Sequence, residues 1–406
     1  MSSKDAHDGN KLLVLNAGSS SLKFAIYNAG IGAEMPALLL KGQIAGIGQD
    51  RTRLEVKALQ GEAPDWPFEA DAISTHREAL SLLIDRLAIT REKATWLGIG
   101  HRVVHGGTAY SAPIVITDND IAALESICPL APLHQPHNVA AIKALRDLLP
   151  DMPQVACFDT GFHADNPERI TRFALPERFW RAGIRRYGFH GISYEAILHR
   201  LQQEKIDIPS RLVIAHLGNG ASMAAIKDGK GIASSMGFST LEGLVMGTRP
   251  GSIDPGVLLH LLHDGMSLGD LEKLLYHQSG LLGLSGISAD MKTLSDSKDP
   301  AAARAIDLYC HRIAMELARM SAELQGLDMM IFTGGIGENA ANIRAAVCNE
   351  AAWLGLSLAS GANERAAHPA GPLQISIAGK HVRVMVVPTD EEGVIARHCK
   401  ELISHI

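Results

Sequence analysis

An apolar run ending in a turn of glycine and small polar residues recurs along this chain. KLLVLNAG, MPQVACFDTG, RLVIAHLGNG and LDMMIFTGG share that form, and VRVMVVPTDEEG repeats it near the end. Each reads as a buried strand entering a tight turn, where small residues let the backbone reverse or approach a ligand closely. Helical stretches alternate with these units: THREALSLLIDRLAI, HNVAAIKALRDLLP stopped by Pro150, and the amphipathic GVIARHCKELISHI. Such alternation predicts an α/β fold. The clearest helix starts at Asp299-Pro300, an N-cap followed by proline in the first turn. Ile306, Cys310, Ile313, Leu317, Met320 and Leu324 then step along one helical face, and Gly326 is the expected stop.

Two of the turn units echo each other. VLNAGSSSLKFAI (residues 14–26) and IAHLGNGASMAAI (residues 214–226) align without gaps, with identity at Gly18/Gly218, Ala25/Ala225 and Ile26/Ile226. The echo predicts two similar domains, each offering a hairpin turn to a shared cleft. A length of 406 residues accommodates two or three domains. The first crossing is expected near Asp159, giving one domain from residues 1–159 plus 391–406 and a second from 160–390.

Charge and cysteine content narrow the function classes. A formal net charge of -6 offers no overall basic field to nucleic acid or anionic lipid. Five scattered cysteines contain no CxxC pair, which argues against a disulfide framework or a zinc knuckle. The start of the chain is polar, without the apolar core of a signal peptide, and no run approaches the ~18 apolar residues of a membrane span. The expected location is the cytoplasm, with no nucleic-acid or membrane partner.

The small-residue turns at residues 16–21, 218–222 and 334–339 could bring backbone N–H groups against phosphate. There is no GxxxxGK[ST], so this is not a P-loop chain. Taken singly, each turn is equally a plain strand reversal. Lys23 could reach a phosphate or simply be solvated. Arg102, in HRVVHGG, and Arg249, in MGTRPGSIDPG, suit an anion whose charge spreads over several oxygens, although a lone loop arginine usually forms a surface ion pair. His190 lies between glycines in YGFHG, as a site residue or a packed core histidine. His134 and His137 are spaced like a metal pair, but two prolines are expected to break a helix that would face them together. Asp159 and Glu391 each follow an apolar strand; either suits a Mg²⁺ site or caps a helix.

VLNAGSSSLKF, HRVVHGG, PLAPLH, FDTGFH, RRYGFHG, HLGNGAS, LEGLVMGTRPG, SGISAD, TGGIGEN and PTDEE occur in this order. Together they resemble the acetate kinase family from about Lys11 onward. The resemblance implies a duplicated ribonuclease-H-like fold, shared with actin, sugar kinases and heat-shock ATPases. ATP would lie in the interdomain cleft, the last helix would return to the first domain, and the protein would be a homodimer. It also implies reversible, direct in-line transfer of the ATP γ-phosphoryl to acetate, giving acetyl phosphate and ADP, with Mg²⁺ (or Mn²⁺). Position by position, Asn16 and Glu391 resemble the magnesium-site residues, and Lys23, with Ser19 and Ser21 of its turn, the nucleotide side. Arg102 and Arg249 resemble the acyl and phosphoryl arginines, His190 the transition-state stabiliser, Asp159 the acidic catalytic residue, and His134 a phosphoryl contact. Three segments resemble the nucleotide site: His216, Leu217, Gly218, Asn219 and Gly220; Asp290, Met291 and Lys292; Gly335, Ile336, Gly337, Glu338 and Asn339. Val104, Leu133 and Phe189, with Thr240 nearby, resemble the acyl-pocket lining.

The chain departs from the family at several positions. Lys292 stands where an arginine is expected, Pro250 and Ser252 replace a hydroxyl residue and an aspartate, Thr240 replaces a proline, and Gly161 an alanine. These leave the charged residues in place and put acyl selectivity in question. A short-chain carboxylate is already ionised, so its attack requires no general base; Asp159 is expected to orient Mg²⁺ or its water. The acyl phosphate product calls for a closing cleft that excludes water. Rival readings are a propionate or butyrate kinase, a nucleotide-gated binding module, and a metallohydrolase built on His134 and His137.

Overall fold

The computed structural model describes residues 11–30, 35–58, 66, 68–71, 73–90 and 95–405; the polar stretch before Lys11 lies outside the described residues. The chain divides into two compact units, Met1–Phe162 with Asp390–Ile406, and His163–Thr389.

The first unit is built on strands β1 (Lys11–Ala17), β2 (Ser21–Asn28), β3 (Ala37–Ala45), β4 (Arg51–Ala58), β5 (Phe68–Asp71), β6 (Trp96–Val103), β7 (Ile114–Val115) and β8 (Gln154–Phe158). They lie in the order β5-β4-β3-β2-β1-β6-β8-β7. β1 pairs antiparallel with β2 and parallel with β6, and β6 pairs parallel with β8. Leu12, Leu13, Val14 and Leu15 are all buried, so this central strand is covered on both faces, which is why it reads as a continuous apolar run. On one face Leu13 and Leu15 join Phe24, Ile44 and Leu54 with Leu80, Leu83 and Leu145 from the helices His76–Arg86 and Gln135–Leu148. The helix Glu391–Ile403 packs on the other face, against β6 and β1. Gly98 and Gly100 admit it: a Cβ there would fall 2.3 Å from Ile403 Cδ1 and 2.5 Å from Cys399 Sγ.

The second unit carries β9 (Arg211–Leu217), β10 (Ala221–Lys227), β11 (Lys230–Ser234), β12 (Met329–Thr333), β13 (Leu373–Gln374) and β14 (Arg383–Val386), ordered β11-β10-β9-β12-β14-β13. β9 pairs antiparallel with β10 and parallel with β12, and β12 parallel with β14. The succession β3-β2-β1-β6-β8 thus recurs as β11-β10-β9-β12-β14, the duplication expected from the sequence echo. The echoed segments are the equivalent hairpins β1–β2 and β9–β10. Their turns are closed alike, by Gly18 N–H on Ser21 O at 2.8 Å and by Gly218 N–H on Gly220 O at 3.1 Å.

Three local expectations are modified. The helix Pro300–Leu324 is capped by Asp299, which accepts from Ala301 N at 2.8 Å, but its left-handed stop is Gln325, with φ 59°, one residue before Gly326. After β12 the glycine segment forms a short helix, Gly334–Asn339, rather than an open turn; Gly334, at φ 77°, makes the entry. Pro136 does not break a helix at His134 and His137. It occupies the first turn of Gln135–Leu148, where its missing N–H has no helical partner to lose.

Candidate functional site

In the first unit the charged candidates gather at the C-terminal ends of the parallel strands. Arg102 is on β6 and Asp159 follows β8, whose register sets Val103 opposite Phe158. Arg102 donates from Nε to Asp159 Oδ1 at 3.1 Å and from Nη2 to Oδ2 at 2.7 Å. Its Nη1 lies 3.6 Å from Glu391 Oε2. Burial opposes the Arg102 charge, but Asp159 and Glu391 outweigh it and hold the guanidinium more firmly charged than usual. Burial raises Glu391 above the ordinary carboxylate range; Arg102 pulls it back, and the like charge of Asp159 adds to the rise. Helix capping, the alternative role for Glu391, falls instead to Asp390, which accepts from Gly393 N at 3.1 Å.

Asn16 and Lys23 face each other across the β1–β2 hairpin. Lys23 is close enough to favour the charged form of Glu391. Of the charged groups at this end of the sheet Asp159 is buried, Arg102, Glu391 and Glu392 are half-buried, and Asp390 and Lys23 are exposed. Carboxylates with an amide oxygen are the hard donors Mg²⁺ takes, but among the described residues no group of three or more His, Cys, Asp or Glu side chains is placed to hold a metal ion.

The sequence reading overlooked two residues that position this end of the sheet. Asn138 accepts from Val104 N at 3.1 Å and donates to Ala17 O at 2.9 Å, tying the strand ends of β1 and β6 to one helix. Gln135 accepts from His105 N at 3.1 Å and donates to His105 O at 3.0 Å. Their signal was polar residues at positions 135 and 138 in step with buried Ile142 and Leu145. His134 occupies the N-cap position of the same helix without a side-chain capping bond; Val104 is buried and Leu133 half-buried.

In the second unit His190 is the N-cap of helix Gly191–Gln203, in the left-handed region at φ 57°. Gly188, at φ 74°, makes the approach possible, since a Cβ there would meet His163 Cδ2 at 2.5 Å. His190 Nδ1 lies 2.8 Å from Ser222 Oγ, and Ser222 Oγ also bonds the Tyr194 hydroxyl. The His190 ring stacks on His216 with centroids 4.4 Å apart. His216 Nδ1 lies 2.8 Å from Ser193 Oγ, which reaches Thr389 Oγ1 at 2.9 Å. Glu338 Oε1 closes the series, accepting from Thr389 N at 3.2 Å and Gly334 N at 3.0 Å. Ser193 and Tyr194 carry no motif of their own; Ser222 and Thr389 lie within HLGNGAS and PTDEE but were not singled out there, and the series they form emerges only from the fold.

Arg249 differs from Arg102. It is half-buried, and among the described residues no carboxylate lies within 4.0 Å of it. Its Nη1 donates to Thr240 O at 3.2 Å. Burial lowers its proton affinity, and only Tyr276 offsets this. A half-buried cation without a carboxylate partner has the chemistry to receive an incoming anion.

A pocket of about 730 Å³ in the second unit is lined by Gly218 and Asn219, by Asp290, Met291 and Lys292, and by Gly335, Ile336 and Asn339. Such a volume suits a nucleotide-sized ligand. Asp290 also caps the helix Met291–Asp296, accepting from Thr293 N at 2.8 Å, and that bond holds its carboxyl below the usual range. His216, Leu217, Gly220, Gly337 and Glu338 are not among the residues lining this pocket; Glu338 instead accepts from Gly334 N and Thr389 N in the series described above. Phe189 is fully buried and Thr240 half-buried. Ser19 and Ser21 stay in the β1–β2 turn of the first unit.

The family model described as the Acetokinase family matches residues 11–397. The chain belongs to the acetokinase family. An acetate kinase of Rhodopseudomonas palustris is 47% identical over 390 residues, covering 95% of this chain and 97% of the relative. One from Rhizobium meliloti is 43% identical, covering 97% and 98%. Crystal structures of a Porphyromonas gingivalis acetate kinase and a Francisella tularensis propionate kinase superpose with TM-scores of 0.85 and 0.87, at 36% and 34% identity. The first comparison covers 97% of this chain and 100% of the other, the second 96% and 98%. The acetokinase fold is a duplicated ribonuclease-H-like, actin-like pair, in agreement with the repeated strand order. The family activity is ATP-dependent phosphorylation of acetate, a phosphotransfer with a carboxylate acceptor.

Proposed function

We propose that this chain phosphorylates acetate by direct in-line transfer, uses propionate as a secondary acceptor, and works as a cytoplasmic homodimer with Mg²⁺. The observation that carries the site assignment is the contrast between its two arginines: Arg102 locked to Asp159 and Glu391, and Arg249 without a carboxylate. Acetate is already anionic, so the barrier lies in bringing it to an anionic phosphoryl group. Arg249 supplies uncompensated positive charge for the equatorial oxygens, and His190 adds a donor held in place by Ser222. Asp159 has both oxygens on Arg102 and so acts by orienting that guanidinium and a neighbouring cation, not by removing a proton. Asn16, Asp159 and Glu391 would hold Mg²⁺, which when bound supplies charge neutralisation on the phosphate chain. The pocket around Asn219, Lys292 and Gly335 takes the nucleotide.

Two wider features support the setting. Val257, Leu259 and Leu262 of the helix Pro255–His263 are exposed, as are Ile253 and Leu268 beside it, an apolar patch of the kind a second copy covers. All five cysteines are free, which suits a reducing compartment. Among the described residues, no helix is long and apolar enough to cross a membrane.

The test is a hydroxylamine trap for acyl phosphate, run with ATP, Mg²⁺ and acetate, propionate or butyrate. Hydroxamate formation with acetate above the other two acids is expected. ATP consumption without any acyl hydroxamate would favour a nucleotide-gated module instead.

A further inference from the structure

Most residues lining the nucleotide pocket lie in or beside its three glycine and aspartate segments, and one comes from a more distant part of the chain. His368 reaches it from the connection after the helix Ser360–Arg365. Its backbone is left-handed, at φ 52°, which is uncommon for a residue with a side chain. Such a conformation persists where the surroundings over-determine it, and it concentrates at ligand sites.

The surroundings here do over-determine it. His368 N donates to Asn339 Oδ1 at 3.0 Å, and Asn339 Nδ2 donates to Gly335 O at 2.9 Å. The connection leading to His368 is held by Arg344, which is 0% exposed. Arg344 donates from Nε to Asn363 Oδ1 at 2.8 Å, and from Nη2 to Asn363 O at 2.8 Å and Ala366 O at 3.3 Å. Its Nη1 donates to Gly337 O at 2.9 Å and Glu338 O at 3.0 Å. One guanidinium therefore fastens the glycine segment and the His368 connection to each other. Burial lowers its pKa to about 10, and among the described residues no carboxylate pairs with it. This is a costly device for holding one loop against one pocket.

The held residue is exposed, and it is the one ring-bearing residue in a lining that otherwise comprises small, amide and aliphatic residues with Asp290, Met291 and Lys292. Lys292, in the same pocket, has an ammonium that cannot stack flat on a base as a guanidinium does. We propose that His368 is the base-contacting residue of this pocket, its imidazole stacking on the nucleobase where the expected arginine is missing. This rests on the nucleotide reading of the pocket.

The experiment measures binding of Mg-ADP and of inorganic tripolyphosphate to the full chain by calorimetry. His368→Asn keeps a residue that tolerates the left-handed backbone but removes the ring; His368→Phe keeps a ring. Loss of one base stack is expected to weaken ADP about tenfold in His368→Asn. Tripolyphosphate affinity should stay unchanged, and His368→Phe should bind ADP within about threefold of wild type. Wild-type ADP affinity in His368→Asn, or equal losses for ADP and tripolyphosphate, would overturn the assignment. Failure of the wild-type chain to bind ADP would instead overturn the nucleotide reading beneath it.

Discussion

Arg102 Nη2 sits 2.7 Å from Asp159 Oδ2, and Asp159 is only 2% exposed. The pair sits at the ends of two adjacent parallel strands, with Arg102 half-buried and Asp159 buried, so Asp159 cannot turn to water if Arg102 is lost. Arg102→Ala should lower kcat roughly 10³-fold, because it removes transition-state charge neutralisation. It should also destabilise the fold by about 3–5 kcal/mol by stranding Asp159. Denaturant unfolding of Arg102→Ala and of the Arg102→Ala/Asp159→Asn double variant checks this. The double variant should recover part of the stability and none of the activity.

Asp159→Asn separates two roles. If Asp159 orients Arg102 and the cation, the variant should need more Mg²⁺ for half-maximal rate as well as turning over more slowly. A proton-accepting role predicts a slower rate at unchanged Mg²⁺ dependence. An unaltered magnesium titration would remove the orienting role.

Glu391 makes stability depend on pH in an unusual direction. Its folded proton affinity is raised above the usual 4.5 by burial, so the native state holds a proton that the unfolded chain has released. Its contribution is harmless below the unfolded value and becomes unfavourable as pH rises through the folded one. Glu391→Gln should therefore melt at a higher temperature than wild type at pH 8. The gain should shrink toward pH 4.5, and activity should be lost. Added Mg²⁺ should raise the melting temperature of wild type and leave the variant unmoved.

Two histidines act the opposite way. His101, bonded to Gln154 at 2.8 Å, and His105 are each pushed down to about 4 by burial. Below pH 6.5 the unfolded chain gains protons that the native state refuses, so stability should fall from there to about pH 4. His101→Gln should flatten that part of the urea-midpoint profile; an unchanged slope would show that His101 titrates normally.

The uneven legibility of these residues has a physical cause. β1 and β9 are covered on both faces, so each appears in the sequence as an unbroken apolar run, and the offset between their turns exposes the duplication. Asp159 and Glu391 were visible because each follows such a run, and Arg102 because it stands just before a glycine turn in HRVVHGG. The partnership between Arg102 and Asp159 was not, since it depends on β6 and β8 being neighbours. Asn138 and Arg344 were harder still. Each is one polar residue in a helix, indistinguishable from a solvated one until the carbonyls it holds are brought to it by distant segments. Asp290 was read for its motif, while its side chain is bound to Thr293 as a cap.

Gly161 and Thr240 are the two departures from the family pattern expected to bear on the acid preference, one in each unit. The atoms nearest a Cβ on Gly161 would be Ser111 O at 3.1 Å and Phe158 Cβ at 3.9 Å. An added methyl there would press first on the Ser111 backbone, and Gly161→Ala should affect all acids alike. Thr240 is better placed, because its carbonyl accepts from Arg249 Nη1 at 3.2 Å. Thr240→Pro retains that carbonyl and restores a rigid ring beside the arginine. One methylene in an apolar pocket is worth about 1–3 kcal/mol, so a small change in volume reorders neighbouring homologues. Wild type should use propionate within roughly tenfold of acetate in kcat/KM, with butyrate clearly worse. Thr240→Pro should lower propionate use more than acetate use, and Gly161→Ala should leave their ratio unchanged. The measurement is kcat/KM for three acids across wild type and both variants. If Gly161→Ala changes the ratio while Thr240→Pro does not, the residue that sets the acid preference lies on the β8 side and the Arg249 neighbourhood is irrelevant to it.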